Sequence, residues 1–361
     1  MMSIYIDFHV LQTVPPSCVN RDDMGSPKTA IYGGAVRARV SSQAWKHAMR
    51  TDFRKLFTED ELGNRTKNVV ELVEKEMLEI DSAISTDECH KKAVEALKLA
   101  GINVTSKKNE PEKADALFFM SNKQAKAIAE HAIALDLKAK ESKEILKNDL
   151  KENPSVDIAL FGRMSASEPT LNCDAAAQVA HAISTHAVQN EYDYFTAVDD
   201  LQEEDNAGAG HLGTVEFNSS TLYRYATVNA SELVKTIGKD NTAETIKKFG
   251  QAFICSMPTG KENTFANRTF PDTVYITIRK DQPVNLCGAF EAPVKRSENG
   301  YAEVSEKKLA EYAEKVYSRF AAKPVKEFCI GDSFAENAVS LPLNELLAEL
   351  EKAVSAEIAE V

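Results

Sequence analysis

The residues best suited to chemistry lie between Ile31 and Phe57, in the run IYGGAVRARVSSQAWKHAMRTDFRKLF. After the turn signal Gly33-Gly34, residues 35–40 alternate, with Val36, Ala38 and Val40 on one face of a strand and Arg37 and Arg39 on the other. Ser41 or Ser42 reads as an N-cap, because a serine hydroxyl accepts from the unpaired N–H groups of a first helical turn. In the helix that follows, Trp45, Met49 and Phe53, joined by Ala48 and Leu56, form an apolar stripe. Gln43, Lys46, His47, Arg50 and Arg54 fall on a neighbouring stripe. A polyanion lying across this βα unit would meet strand arginines, a helix N-terminus and a line of cations. That is a track for a phosphate backbone. The competing reading is a solvated helix face, which charged residues fill by default.

A second chemistry is available to His9, on the first strand, and His47, on the basic helix: an acid–base pair for RNA cleavage. It requires the fold to bring two separately placed imidazoles together. GxSxG, HExxH and Walker patterns are absent, and the loop GAGHLG lacks the Lys-Ser/Thr ending of a phosphate-gripping loop. Six cysteines are scattered without a CxxC pair, so they read as buried or incidental thiols rather than a zinc site or a disulfide frame. Asp22 and Asp23 could hold a metal, but Arg21 beside them favours ion pairing or loop capping. His181 and His186 miss the i, i+4 spacing of paired ligands. The acidic run Asp199, Asp200, Glu203, Glu204 and Asp205 reads as a solvated loop. No cofactor is implied.

The elements that must position these residues follow from periodicity. Ile4, Ile6 and Phe8 alternate against Tyr5, Asp7 and His9, predicting a half-buried strand ended by Pro15-Pro16. Helical spacing recurs in Val69–Ile80, His90–Ala100, Ser121–Leu135 and Ser142–Leu150, a Glu/Lys/Ala/Leu-rich insertion interrupted by the polar connection around Pro111. The alanine-rich run Asp174–His186 is expected to be helical, and Tyr192–Val198 with Thr214–Asn229 to form a long hairpin. Beyond it come a helix at Ala230–Met257, strands at Thr273–Arg279 and Val284–Phe290, a helix at Ser305–Ala321 and an acidic helix from Leu343. This order fits α+β better than an alternating parallel sheet.

With 361 residues the chain exceeds the size at which one core stops growing, so two lobes are expected. No apolar run approaches membrane-spanning length and Met1–Val14 lacks the features of a signal peptide, so the expected location is cytoplasmic. The formal net charge of −12 excludes a globally basic nucleic-acid binder, but from Lys28 to Lys55 the only acid is Asp52.

The runs HVLQTVPPSCVNRDDMGSPKTAIYGGAVRARVSSQAWKHAMR, VDIALFGRM, AHAISTH and YFTAVDDLQEE…AGHLGTVEF resemble the CasC family of the RAMP superfamily, the backbone subunits of the type I-E CRISPR Cascade surveillance complex. The resemblance implies a modified RRM (ferredoxin-like) palm at 1–57, 181–187 and 220–361, inserted helical fingers at 58–180 and a β-hairpin thumb at 188–219. It implies a non-catalytic subunit that forms a homo-oligomeric filament along CRISPR guide RNA. That filament would present the guide to target DNA in antiviral defence, beside other Cascade subunits and without a membrane. By the same resemblance Arg21, Lys28, Ser41, Gln43, Lys46, His47 and Arg50 contact guide phosphates, and Arg163 and Met164 sit near a displaced nucleotide. Tyr194 and Phe195 take the thumb's aromatic positions. His47 stands where an arginine is often found, and Tyr194 where some relatives carry an indole. Arg37, Arg39 and Ser42 enter the candidate set from the residue reading alone. The alternative readings are a metal-independent endoribonuclease that processes CRISPR transcripts, and a scaffold that assembles without RNA.

Overall fold

The computed structural model describes residues 3–106, 111–165, 167–197 and 211–360. The acidic connection around Asp199–Asp205 lies outside them. In chain order the chain forms β1 (Tyr5–Ser17), β2 (Thr29–Tyr32), β3 (Ala35–Val40) and α1 (Ser42–Leu56), then β4 (Gly63–Thr66), α2 (Val69–Ile80) and α3 (Thr86–Leu99). Next come β5 (Val104–Thr105), β6 (Lys113–Ala114), β7 (Phe118–Ser121), α4 (Asn122–Ala134), α5 (Lys140–Lys151) and α6 (Val156–Phe161). The short strands β8 (Ala177–Val179) and β9 (Ala182–Ser184) precede β10 (Glu191–Ala197) and β11 (His211–Asn229). The remainder is α7 (Ala230–Ile237), α8 (Lys239–Cys255), α9 (Glu262–Phe265), β12 (Thr273–Arg279), α10 (Ala302–Arg319), β13 (Lys326–Ile330), β14 (Val339–Ser340) and α11 (Leu343–Ala359).

These elements fall into two compact units: Met1–Met49, Val179–Thr227 and Phe249–Glu357 make one, and Arg50–Gln178, Val228–Lys248 and Ile358–Val361 the other. The first is built on a mixed sheet in the order β14-β13-β12-β1-β11-β9-β3-β2. β1 sits between partners from the distant half of the chain and pairs antiparallel with β12 from Tyr5↔Arg279 to Leu11↔Thr273. That ladder stops before Pro15-Pro16, so the prolines are tolerated and the strand runs on to Ser17 instead of ending at them.

β1 is also buried on both faces rather than one, because apolar layers cover both. On one side Phe8 packs against Phe249 and Phe253 with ring centroids 5.6 and 6.2 Å apart. On the other, Leu11 joins Tyr223 and Tyr275 beneath Leu309 and Tyr317 of α10. Asp7 and His9 on that second face bond within the core: Asp7 accepts from the Tyr225 hydroxyl (3.0 Å) and from Val284 N (2.9 Å), and His9 Nδ1 is 2.9 Å from the Tyr223 hydroxyl, while His9 Nε2 is buried without a partner among the described residues. Burial pushes the Asp7 carboxyl up to about 6 and holds the His9 imidazole down at about 3.

Three sequence expectations change in the folded chain. Asp174–His186 is not helical but supplies β8 and β9, since Ile183 is paired with Arg39 on one side and Tyr223 on the other, and ladder pairing overrides alanine's helix propensity. Val284–Phe290 is a 3₁₀ turn over Leu286–Phe290, started by the Asn285 side chain accepting from Cys287 N. The helix expected over Ala230–Met257 is two helices, broken at Gly238, whose φ is +82°.

The second unit owes its core to helical periodicity. Val69, Val73 and Met77 of α2 pack with Ala93, Ala96 and Leu97 of α3, Ile128 and Ala132 of α4, and Leu146 and Leu150 of α5. Ser121 and Gln124 form a capping box at the start of α4. His90 of α3 bridges two acids, with Nδ1 on Glu74 of α2 and Nε2 2.8 Å from Glu112. Burial lowers its basicity, but hydrogen bonds to Glu112 and Glu74 outweigh that and raise its pKa above the usual value. Because the folded form holds the proton more tightly, this bridge contributes stability below about pH 6.5 that is lost as pH rises through the raised pKa. Solvent screening keeps the effect below about 1 kcal/mol. Urea unfolding at both ends of that window is expected to show a smaller pH difference in His90→Gln than in the parent.

Candidate nucleic-acid interface

The start of α1 is fixed by a short relay. Asn20 Oδ1 accepts from Ser41 N (2.9 Å), Ser41 Oγ accepts from Ala44 N (3.4 Å), and Asn20 O accepts from Lys28 N (2.8 Å). Ser41 is therefore the N-cap and Ser42 the first helical residue. Trp45, Met49 and Phe53 are fully buried, worth about 2 kcal/mol each or more. Their burial turns the opposite stripe outward, leaving Gln43 and His47 exposed and Lys46 half-buried. Burial lowers the Lys46 pKa.

Around this helix start the first unit gathers cations. Lys28 and Arg39 are joined by the bond from Arg39 N to Lys28 O (2.9 Å). Arg39 Nη1 donates to His181 Nδ1 (3.2 Å) and Nε to Thr29 O (3.1 Å). Burial first, then the charges of Arg39 and Lys28, hold His181 below its usual pKa, so it is a neutral acceptor at pH 7. Arg21 is exposed at the head of a turn in which Asp22 Oδ1 accepts from Met24 N and Ser26 N (2.9 and 3.0 Å). Asp22 caps its own loop, as the sequence suggested. Arg21 and Lys261 both act on the Cys18 thiol, whose pKa burial pushes up most, these two charges pull down, and Glu216 and Asp22 push up again. Gly260 permits that approach: a Cβ there would lie 2.1 Å from Val19 O. Lys261 and His181 thus join the seat, although Lys261 is absent from the sequence candidates and His181 enters them only as a metal ligand of the wrong spacing. The local signal was present only as a glycine before a lysine and a histidine two residues after a β-branched valine.

Two arginines leave the candidate set. Arg37 is 0% exposed, and its guanidinium donates to Ser184 O (2.8 Å), Phe290 O (2.8 Å) and Glu291 O (3.2 Å). Arg163 is buried in the second unit, where Nε donates to Leu171 O (2.9 Å) and Nη1 to Phe119 O (3.1 Å) and Gln124 Oε1 (3.0 Å). Both are spent on internal acceptors, which no phosphate can share. Arg50 is partly committed: it pairs with buried Asp157 (3.3 Å) and lies 4.5 Å from the centre of the Phe119 ring.

Met164, in the second unit, is 87% exposed and on the wall of a cavity of about 330 Å³ with Ile102, Leu117 and Phe118. In the hairpin, Tyr194 stands opposite Thr214 and Phe195 opposite Gly213. Tyr194 shares a face with Tyr192, while the Phe195 ring covers Gly213, where a Cβ would come within 2.4 Å of it. Both aromatics are exposed, Tyr194 at 65% and Phe195 at 40%. His9 is enclosed by Tyr223, Tyr225 and Tyr275, whereas His47 is on the surface of α1, so the acid–base pair is not assembled. Among the described residues no three His, Cys, Asp or Glu side chains converge as metal ligands, and no helix is long and apolar enough to cross a membrane.

The fold is similar to that of chains in CRISPR RNA-guided surveillance complexes. One such chain, from a complex described as pre-nicking, has 30% sequence identity and a TM-score of 0.84, over 98% of this chain and 99% of that one. Another, from a CRISPR RNA-guided surveillance complex, has 26% identity and a TM-score of 0.72, over 97% and 99%. No curated protein matches the sequence. The chain belongs to the CT1975-like protein family, whose model matches residues 6–354, and the likeness of its motifs to the CasC subunits holds.

Proposed function

We propose that this chain is a non-catalytic guide-RNA-binding subunit that polymerises along CRISPR RNA and presents it for pairing with target DNA. The observation that carries the reading is the gathering of Arg21, Lys28 and Arg39 around the Asn20–Ser41 relay that starts α1, with Lys261 brought to the same loop from far along the chain, where Gly260 abuts Val19 O. Cations and helix N–H groups grip a sugar–phosphate chain without reading its bases, which suits a subunit that accepts any spacer and leaves selection to Watson–Crick pairing. Gln43, Lys46 and His47 extend the track along the helix, and Ser41 and Ser42 place its amides. Met164 and the hairpin aromatics Tyr194 and Phe195 supply apolar surfaces that unstack a base without choosing one. In this reading the sheet is the palm, the helical insertion the fingers, the hairpin the thumb that reaches a neighbouring copy, and other Cascade subunits cap the filament.

The test is purification of the tagged chain from cells carrying a CRISPR array and the remaining subunits. RNA of one defined length should co-purify in proportion to protein, and guides of different spacer sequence should be held alike. RNA-free oligomers that ignore nuclease would support the scaffold reading instead. Cleavage of a repeat-containing transcript that stops in His47→Ala would support the endoribonuclease.

A further inference from the structure

The first unit carries a second cationic surface, at the opposite edge of its sheet from the seat. β13 and β3 are separated by five strand spacings, about 24 Å at ~4.8 Å each. The two surfaces also belong to different faces. Trp45 of α1 packs with Leu222 of β11, whereas Tyr317 of α10 packs with Tyr223, its neighbour in the same strand. Where α10 ends, Arg319, Phe320, Lys323, Val325 and Lys326 are all exposed, and Phe320 is 83% exposed.

Folding does not require that aromatic to be there. The connection from α10 to β13 is pinned from beneath by Arg279, itself buried, which donates to Asp281 Oδ2 (2.8 Å) and to Ala322 O (2.7 Å). Ala322 N closes the loop on the same carboxylate (3.1 Å), and Val325 N bonds Ile278 O (2.9 Å). A phenylalanine on a loop already fixed by these bonds contributes little to the core. Nor are its charged neighbours consumed by ion pairs, because Glu327, the nearest acid in sequence, is turned inward to accept from the Tyr275 hydroxyl (2.6 Å). Lys323 and Glu314 both act on Glu327, in opposite senses, and Arg319, Lys323 and Lys326 stand exposed as three cations beside exposed Glu314 and half-buried Glu327.

We propose that this patch is a docking surface for single-stranded DNA, and that its occupant is the strand displaced when the guide pairs with a duplex. The proposal rests on the guide-binding reading above. An exposed ring beside exposed cations is a stacking platform that tolerates any base, with the charges tracking the backbone. The guide seat lies at the other edge and on the other face of the sheet, about 24 Å away by strand spacing, so the two surfaces are distinct. RNA-guided opening of a duplex creates the second strand that needs such a site.

The experiment uses the guide-loaded assembly and a fluorescein-labelled oligothymidylate of about 20 nucleotides, not complementary to the guide. Phe320→Ala, and separately Arg319→Gln with Lys323→Gln and Lys326→Gln, should each weaken its binding about tenfold while guide content and assembly size stay unchanged. Parental affinity in both variants would overturn the proposal. So would altered assembly size with unchanged oligothymidylate affinity, which would assign the patch to a protein neighbour. An oligouridylate that binds through Phe320 as tightly would move the site from displaced DNA to RNA, and also overturns it. Failure of the guide-binding reading shows separately, as assemblies that purify without RNA.

Discussion

Arg163→Ala should cost about 3–5 kcal/mol of folding stability, the range for removing one partner from a buried charged network. The guanidinium serves carbonyls from three places in the second unit, Leu171, Phe119 and Leu150, together with the side chain of Gln124. It lies 5.0 Å from the centre of the Phe118 ring. Burial lowers its pKa to about 10, so it remains charged at neutral pH, and its removal leaves acceptors from several elements without donors or water. Arg163→Lys should recover little, because one ammonium cannot span four acceptors arranged for a planar fork. Chemical unfolding followed by circular dichroism measures the loss. A variant that unfolds like the parent but holds guide RNA more weakly would return Arg163 to the phosphate contacts.

Lys28→Gln combined with Lys261→Gln should weaken guide binding about 100-fold near physiological salt and lower the slope of log K against log salt by about 1.4. Each lysine acts on a phosphate that condenses counterions, and about 0.7 of a counterion is released per neutralised charge on a single strand. The effect should be the same for guides of unrelated sequence, since phosphate contacts carry no base information. Neither lysine is spent on an internal ion pair of the kind that binds Arg50 to Asp157, so stability should change by less than about 0.5 kcal/mol. Filter binding across a salt series with two unrelated guides reads both numbers. A salt slope that does not move would remove Lys28 and Lys261 from the seat.

These outcomes separate residues that look alike in sequence. Arg37 and Arg39 are two apart on one strand and share a face, yet Arg37 is sealed under the turn Leu286–Phe290 while Arg39 stays half-exposed beside His181. Nothing within the run AVRARV announces that difference, because the turn that covers Arg37 comes from the far end of the chain. Arg163 misleads for the same reason: four acceptors from scattered positions are invisible beside the local motif Gly-Arg-Met.

What local order could decide was legible. The i, i+4 stripe of Trp45, Met49 and Phe53 and the serine before it define α1, and the period of α2 to α5 defines the helical unit, because these signals arise within one or two turns. β-Prone composition located β12, and two β-prone flanks around a glycine-rich connection located the long hairpin β10–β11. Family motifs alone carried the likeness to CRISPR surveillance subunits. Pairing partners, by contrast, set β9 as a strand against its alanine-rich composition, carried β1 past its prolines and buried both its faces. Long-range packing also brought Gly260 and with it Lys261 to the Cys18–Val19 loop, sealed Arg37 and Arg163, and left Phe320 in the open. Helix and strand periods are properties of neighbours in the chain, whereas burial and the company a charge keeps are properties of neighbours in space.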